Sequence, residues 1–292
     1  MSSSRTRELR EEDAEQVAAL FAGAFGDARK LDAREVASWL RDPDLKHEDL
    51  RVLEEGGRIV GYCDISVRGD LLFVDLAAPG RWTEVLDWAE DQVTALGLKT
   101  ASLFVPHEHE LADVAEQRGY EKRRESLTME IAFGDAPPSD GDLKELDLRT
   151  YTDDDHDAVI AALNESFSED PAWREVTPEG FKERFLGRHH FDPTLWFLAF
   201  DGDELVGFAL DYPEFGTDTE MGLVQWLGVR KPWRRRGLAE ALLRHSFKEL
   251  YARGKRRTGL GVDAQNVTGA LRVYERVGMH MTRRFGIWQK EP

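Results

Sequence analysis

The chain has 292 residues, 41% of them hydrophobic and 33% charged, with a mean hydropathy of -0.51, enough for one large or two modest globular domains. No run of about 18 apolar residues exists and the N-terminus lacks the apolar core of a secretory leader, so a soluble cytoplasmic protein with no membrane partner is expected; the single cysteine, Cys63, excludes an internal disulfide and a Cys-rich zinc site, and no metal is expected. The formal charge of -17 divides into -14 over residues 1–145 (18 basic, 32 acidic) and -3 over residues 146–292 (21 and 24), which argues against nucleic-acid binding and directs any anionic ligand to the second half.

In chain order, Ala14 to Phe25 has the spacing of an amphipathic helix, and residues 52–62 form a hairpin around Gly56-Gly57. Leu71 to Leu76 reads as a strand, 81–96 as a helix with Trp82, Val85, Leu86, Ala89 and Val93 on one face, and Gly97 as its stop. Residues 134–142 cluster Gly, Pro, Asp and Ser without a large apolar side chain and predict a linker. The second half then repeats the first: helix His156 to Phe167, hairpin 198–208, apolar strand Val224 to Val229, helix 237–253 and stop Gly254. Gly61 matches Gly207 at an offset of 146, while Leu103 matches Leu260 at 157, so the second half carries 11 extra residues between those points, where the chemistry is expected.

Two tandem α+β domains follow, residues 1–134 and 146–292, each a mixed, largely antiparallel sheet with helices on both faces. In the second, Pro232 ends the strand, and Arg234-Arg235-Arg236-Gly237-Leu238-Ala239 opens directly into the helix. Consecutive backbone N–H groups at a helix N-terminus favour an anion, and a pyrophosphate would fit. His107, His109, His189 and His190 have no companion ligands and read as exposed or satisfied histidines; Trp196, Trp226 and Trp233 are core residues or the walls of a substrate pocket.

The order strand, Val-x-x-Pro, Arg-x-x-Gly-x-Ala, helix resembles the acyl-CoA-binding signature of the GNAT N-acetyltransferase superfamily. Asn266 to Met279, with Ala270, Tyr274-Glu275 and Gly278, is similar to that family's following motif. The resemblance implies that the backbone of Leu227, Gly228 and Val229 pairs with a pantetheine arm. The amides of Arg234, Arg235, Arg236, Gly237, Leu238 and Ala239 would hold the pyrophosphate of acetyl-CoA. Asn266 would contact the pantetheine or cap its helix, and Tyr274 would protonate the departing thiolate. The implied reaction is direct attack by a primary amine of a small molecule or peptide on acetyl-CoA in a ternary complex, by a monomer or homodimer. Glu220, a water held by Gln225, and Asp211 are the candidates for the base. The first half has the outline without the loop and resembles a degenerate domain of the same family. A non-catalytic acyl-CoA-binding sensor is the alternative.

Overall fold

The computed structural model describes residues 4–26, 29, 31–41, 45–68, 70–143, 145–170, 173–187, 191–216, 218–266 and 269–291. The chain forms two compact units, Met1–Leu127 with Arg283–Pro292, and Thr128–Thr282. Sheets that are mostly antiparallel and covered by helices make this an α+β protein, as the alternation of apolar residues predicts.

The first unit contains β1 (Arg5–Glu8), α1 (Ala14–Phe25), α2 (Ala33–Trp39), β2 (Leu50–Glu55), β3 (Arg58–Arg68), β4 (Leu71–Ala77), α3 (Trp82–Ala95), β5 (Thr100–Pro106) and α4 (Glu110–Gln117). Val17, Phe21 and Phe25 of α1 and Trp82, Leu86 and Ala89 of α3 are buried against the sheet, the faces their spacing dictates. β1 to β4 pair antiparallel in chain order, and β4 then pairs parallel with β5 from Leu71↔Thr100 to Val74↔Leu103.

In the second unit the strand β6 (Glu121–Ala132) contributes its last residues, followed by β7 (Asp147–Thr150), α5 (His156–Phe167), α6 (Pro178–Phe181), β8 (Trp196–Asp201), β9 (Glu204–Tyr212), β10 (Met221–Val229), α7 (Leu238–Ala252), β11 (Arg257–Asp263) and α8 (Ala270–Arg276). Its strand order is β6-β11-β10-β9-β8-β7. β8 and β9 are buried along nearly their whole length, between a cluster around Leu163, Phe181 and Trp196 on one side and one around Leu238, Leu242 and Leu250 on the other.

One expectation needs correction. A cut between residues 134 and 146 does not separate the units, because the last strand, β12 (His280–Lys290), pairs antiparallel with β5 through Phe285↔Pro106 to Lys290↔Ala101 and completes the first sheet. Its alternating side chains reveal a strand but not its partner. The extra length of the second half falls, as expected, between Gly207 and Leu260, divided between two connections. The connection before β10 runs over 213–220 against 69–70 before β4, and the one after it over 230–237 against 78–81.

The predicted linker packs onto α7 within the second unit. Lys248 donates to Asp140 Oδ2 at 2.5 Å, the His245 ring lies 3.0 Å from Asp140 Oδ1, and Tyr251 Oη donates to the Asp135 carbonyl at 2.8 Å. Gly141 lies so close to the helix that a Cβ there would collide with the backbone of Ala241, whereas one on Gly134 would meet nothing within 4 Å. Gly141→Ala should therefore cost about 1–3 kcal/mol. The urea midpoint should fall at unchanged slope, with Gly134→Ala as the near-neutral control.

Candidate active site

The site begins where two parallel strands part. β10 and β11 pair only at Met221↔Arg257, Gly222↔Thr258 and Leu223↔Gly259. The buried Thr258 hydroxyl donates to the Gly222 carbonyl at 3.0 Å and pins the closed end. Beyond Leu223, β10 continues to Val229 paired with β9 alone, and a bulge at Gln225, between Val224 and Trp226, turns it away from β11. Residues 226–229 thus keep one backbone edge free of β11, the edge an extended ligand arm can join as an added strand.

At the open end of this fork the chain makes the 3-10 turn Lys231–Trp233 and enters α7. Arg235 has φ 63° and Gly237 has φ 86°, so two of three consecutive residues are left-handed, a reversal that aims backbone N–H groups at one concavity. Gly237 is the N-cap and no side chain caps the helix. Among the described residues no group accepts from the amides of residues 235–240, and a Cβ on Gly237 would meet nothing within 4 Å. Unsatisfied donors around open space at a helix N-terminus fit a pyrophosphate.

The three arginines of the loop divide their work. Arg234 donates to the Val229 carbonyl at 3.2 Å, to the Ser166 carbonyl at 3.0 Å and to Glu169, so its guanidinium braces the loop against the end of α5. Arg235 and Arg236 are exposed; Arg236 stacks 4.6 Å over the Trp233 ring. The sequence motif did not reveal the second brace. Arg230 Nε donates to Glu165 Oε2 at 2.6 Å and the Lys231 amide to Glu165 Oε1 at 3.0 Å. Desolvation pushes the Glu165 carboxyl up, but these hydrogen bonds outweigh it and hold the group below its ordinary range.

Tyr274 lies in α8, which is tied to the first turn of α7 by Arg276 donating to Glu240 Oε2 at 3.3 Å. Its ring is buried, its hydroxyl makes no hydrogen bond among the described residues, and burial pushes its pKa up to about 12. The phenol therefore holds its proton at neutral pH. Leu227, Gly228, Val229, the loop and Tyr274 all belong to the strand, helix and turn that frame the open end. Asn266 does not cap α8, whose N-cap is Gly269; its amide instead donates to the Asp263 carbonyl in the turn after β11.

The three candidates for a base are dispersed. Gln225 is the bulge residue, half-buried at the fork. Glu220 is exposed in the turn before β10, where its carbonyl accepts from the Arg256 amide at 2.8 Å, at the closed end of the fork. Asp211, opposite Val224 on β9, has no solvent exposure. Trp226 packs edge-on against Phe167 and Trp173, ring centroids 5.3 and 5.4 Å away, all three half-buried beside the fork, whereas Trp196 is core.

The first unit repeats the fork without the loop, since β4 passes beyond Val74 to Ala77 and only residues 78–81 connect it to α3. Cys63 in that unit is buried, and burial pushes its thiol well above the ordinary range, which suits a packed side chain and not a nucleophile. The His109 ring accepts from the Leu111 amide at 3.1 Å and caps α4; His189 and His190 lie outside the described residues.

Residues 156–279 match the sequence model of the Acetyltransferase (GNAT) family. A mycothiol acetyltransferase of Streptomyces scabiei is 34% identical over 157 residues, 53% of this chain and 50% of that relative, so the match spans about half the relative's length. Among solved structures, a GCN5-related N-acetyltransferase from Sphaerobacter thermophilus superposes with a TM-score of 0.83 at 29% identity, covering 99% of this chain and 95% of that one. A tandem GNAT protein from the clavulanic acid biosynthesis pathway gives 0.74 at 17% identity, covering 99% and 98%, a likeness of fold. Residues 156–279 are thus a GNAT acetyltransferase domain, and the chain that carries them is a tandem GNAT-fold protein resembling the mycothiol acetyltransferases.

Proposed function

We propose that the second unit transfers an acetyl group from acetyl-CoA to a primary amine. The observation that carries this reading is the fork itself, an unpaired β10 edge leading to a loop of unsatisfied amides at the start of α7. Acetyl-CoA supplies the activated acyl group as a thioester. The amides of residues 235–239 and the dipole of α7 bind its pyrophosphate, while the exposed Arg235 and Arg236 add positive charge at the rim. The backbone of Leu227 to Val229 orients the pantetheine arm along the fork. Tyr274 holds its proton at Oη and donates a hydrogen bond to the leaving sulfur; because a thiol of ordinary pKa about 8.5 is the stronger acid, the proton that finally rests on sulfur is made good by the one the attacking amine releases.

An alkylamine with a pKa of about 10.4 must lose a proton before it attacks. Gln225 at the bulge can orient the amine or a water through which this proton leaves. The similarity to mycothiol acetyltransferases makes mycothiol-type amines the first acceptors to test. A second reading, a non-catalytic acyl-CoA sensor, draws on the distance of Glu220 from the open end and on the sealing of Asp211.

Calorimetric titration with acetyl-CoA, followed by a thiol-release assay over a panel of amines, separates the readings. One site with amine-dependent release supports the transferase, one site without release supports the sensor, and no binding removes both. Gly237→Pro cannot adopt φ 86° and should abolish acetyl-CoA binding while urea unfolding stays cooperative; retained affinity would reject the loop as the site. Tyr274→Phe should lower kcat by about 10- to 100-fold with little change in acetyl-CoA affinity. An equal loss of both would assign the ring to packing alone.

A further inference from the structure

Asn164, on α5, holds a stretch of chain that has no helix or strand of its own. Its Oδ1 accepts from the Val176 amide at 2.8 Å and from Trp173 Nε1 at 3.1 Å, and its Nδ2 donates to the Val176 carbonyl at 2.9 Å. Hydrogen bonds at both ends of one side-chain amide fix where the Trp173 indole lies. The indole stacks on Phe167, ring centroids 4.8 Å apart and planes 22° from parallel, and meets Trp226 edge-on at 5.4 Å. Phe185 supports the Trp226 ring at 5.8 Å. Phe167, Trp173 and Trp226 are each half-buried, so the core closes part of every ring and leaves part open.

The duplicated fold shows that these side chains are not demanded by the architecture. The helices α1 and α5 both run 12 residues, and the place of Asn164 is taken in α1 by Ala22. Counted from the matched Gly61 and Gly207, Asp64 corresponds to Leu210, and their partners across the strand pair are Asp75 and Trp226. The first unit thus has a carboxylate, paired with Arg29, where the second has an indole. Trp226 also directly follows the bulge residue Gln225. An arm that starts at the amides of α7 and runs back along residues 229 to 227 brings its thioester end toward Trp226, so the attacking amine approaches beside the aromatic rings.

We propose that Trp173 and Trp226 form a wall of the acceptor site that selects amines carried beside a flat ring face, and that Asn164 is the positioning residue that sets Trp173. The inference rests on the reading of the fork as the acetyl-transfer site. A ring face, whether the π face of an aryl group or the C–H face of a pyranose, lies against an indole over its whole area. An open-chain amine makes fewer such contacts and loses more rotational freedom in making them. The wall therefore acts on the choice of acceptor and not on the bond-breaking step.

The test compares phenethylamine, 6-amino-6-deoxyglucose and n-hexylamine, by thiol release at saturating acetyl-CoA and by calorimetric binding of each amine, in the wild type, Trp173→Ala, Asn164→Ala and Trp173→Phe. The wild type should favour at least one ring-bearing amine over n-hexylamine by about 10-fold or more in kcat/KM, and the ring that leads identifies the acceptor as aryl or pyranose. Trp173→Ala and Asn164→Ala should bring that ratio to within about 3-fold of unity, the change falling on KM for the ring amine. Trp173→Phe keeps a ring against Phe167 and should retain most of the preference. A wild type without ring preference, a preference that survives Trp173→Ala, or an equal loss for all three amines overturns the wall while leaving acetyl transfer in place. A chain that releases no thiol with any amine overturns the transfer reading instead. Calorimetry then decides the wall alone, which stands if a ring amine binds in a Trp173-dependent way and falls if none does.

Discussion

The second unit depends on one short piece of backbone pairing. Parallel hydrogen bonding between β10 and β11 stops at Leu223↔Gly259, and the bulge at Gln225 fixes where the strands part. A strand edge inside a sheet normally has a partner, because unpaired amides and carbonyls are costly when buried. Here residues 226–229 pair with β9 and not with β11, and Thr258 donating to Gly222 keeps the parting from running further. The direction of β10, the entry of the loop and the placement of α7 all follow from this point.

The loop is held by the C-terminal end of α5. Glu165 accepts from Arg230 and from the Lys231 amide, while Arg234 reaches the end of the same helix and the last carbonyl of β10. Two arginines of a basic run are thereby absorbed as scaffold, and the backbone amides of residues 235–240, with the exposed Arg235 and Arg236, lie outside the brace. The brace costs the site little charge, because backbone dipoles carry much of anion recognition at a helix N-terminus. The first unit keeps a fork of its own at Val74↔Leu103, and only four residues connect β4 to α3. One architecture thus occurs twice, with an eight-residue connection into the helix in the second unit and a four-residue one in the first.

Much of this was legible in the sequence because it rests on local constraints. Apolar spacing marked α1, α3, α5 and α7, and Gly97 and Gly254 marked helix ends with φ 65° and 82°. Gly237, preceding an uncapped helix, announced the left-handed turn that the loop needs. Asn266 was misleading as a cap, since Gly269 takes that position three residues later. Glu220 was placed by its nearness to the strand in sequence, yet it lies in an exposed turn before the paired residues begin.

The sequence by itself determined the element order, the duplication and the left-handed turn that opens α7, because periodicity, turn chemistry and helix ends are set within a few residues of chain. Tertiary structure alone decided the partners. It assigned β12 to β5 and so to the first unit, packed Gly141 onto Ala241 and gave Arg234 to α5. Each of these is a contact between residues far apart in the chain. Such contacts are chosen by competing backbone edges and by burial in three dimensions, neither of which leaves a period or a motif in the sequence.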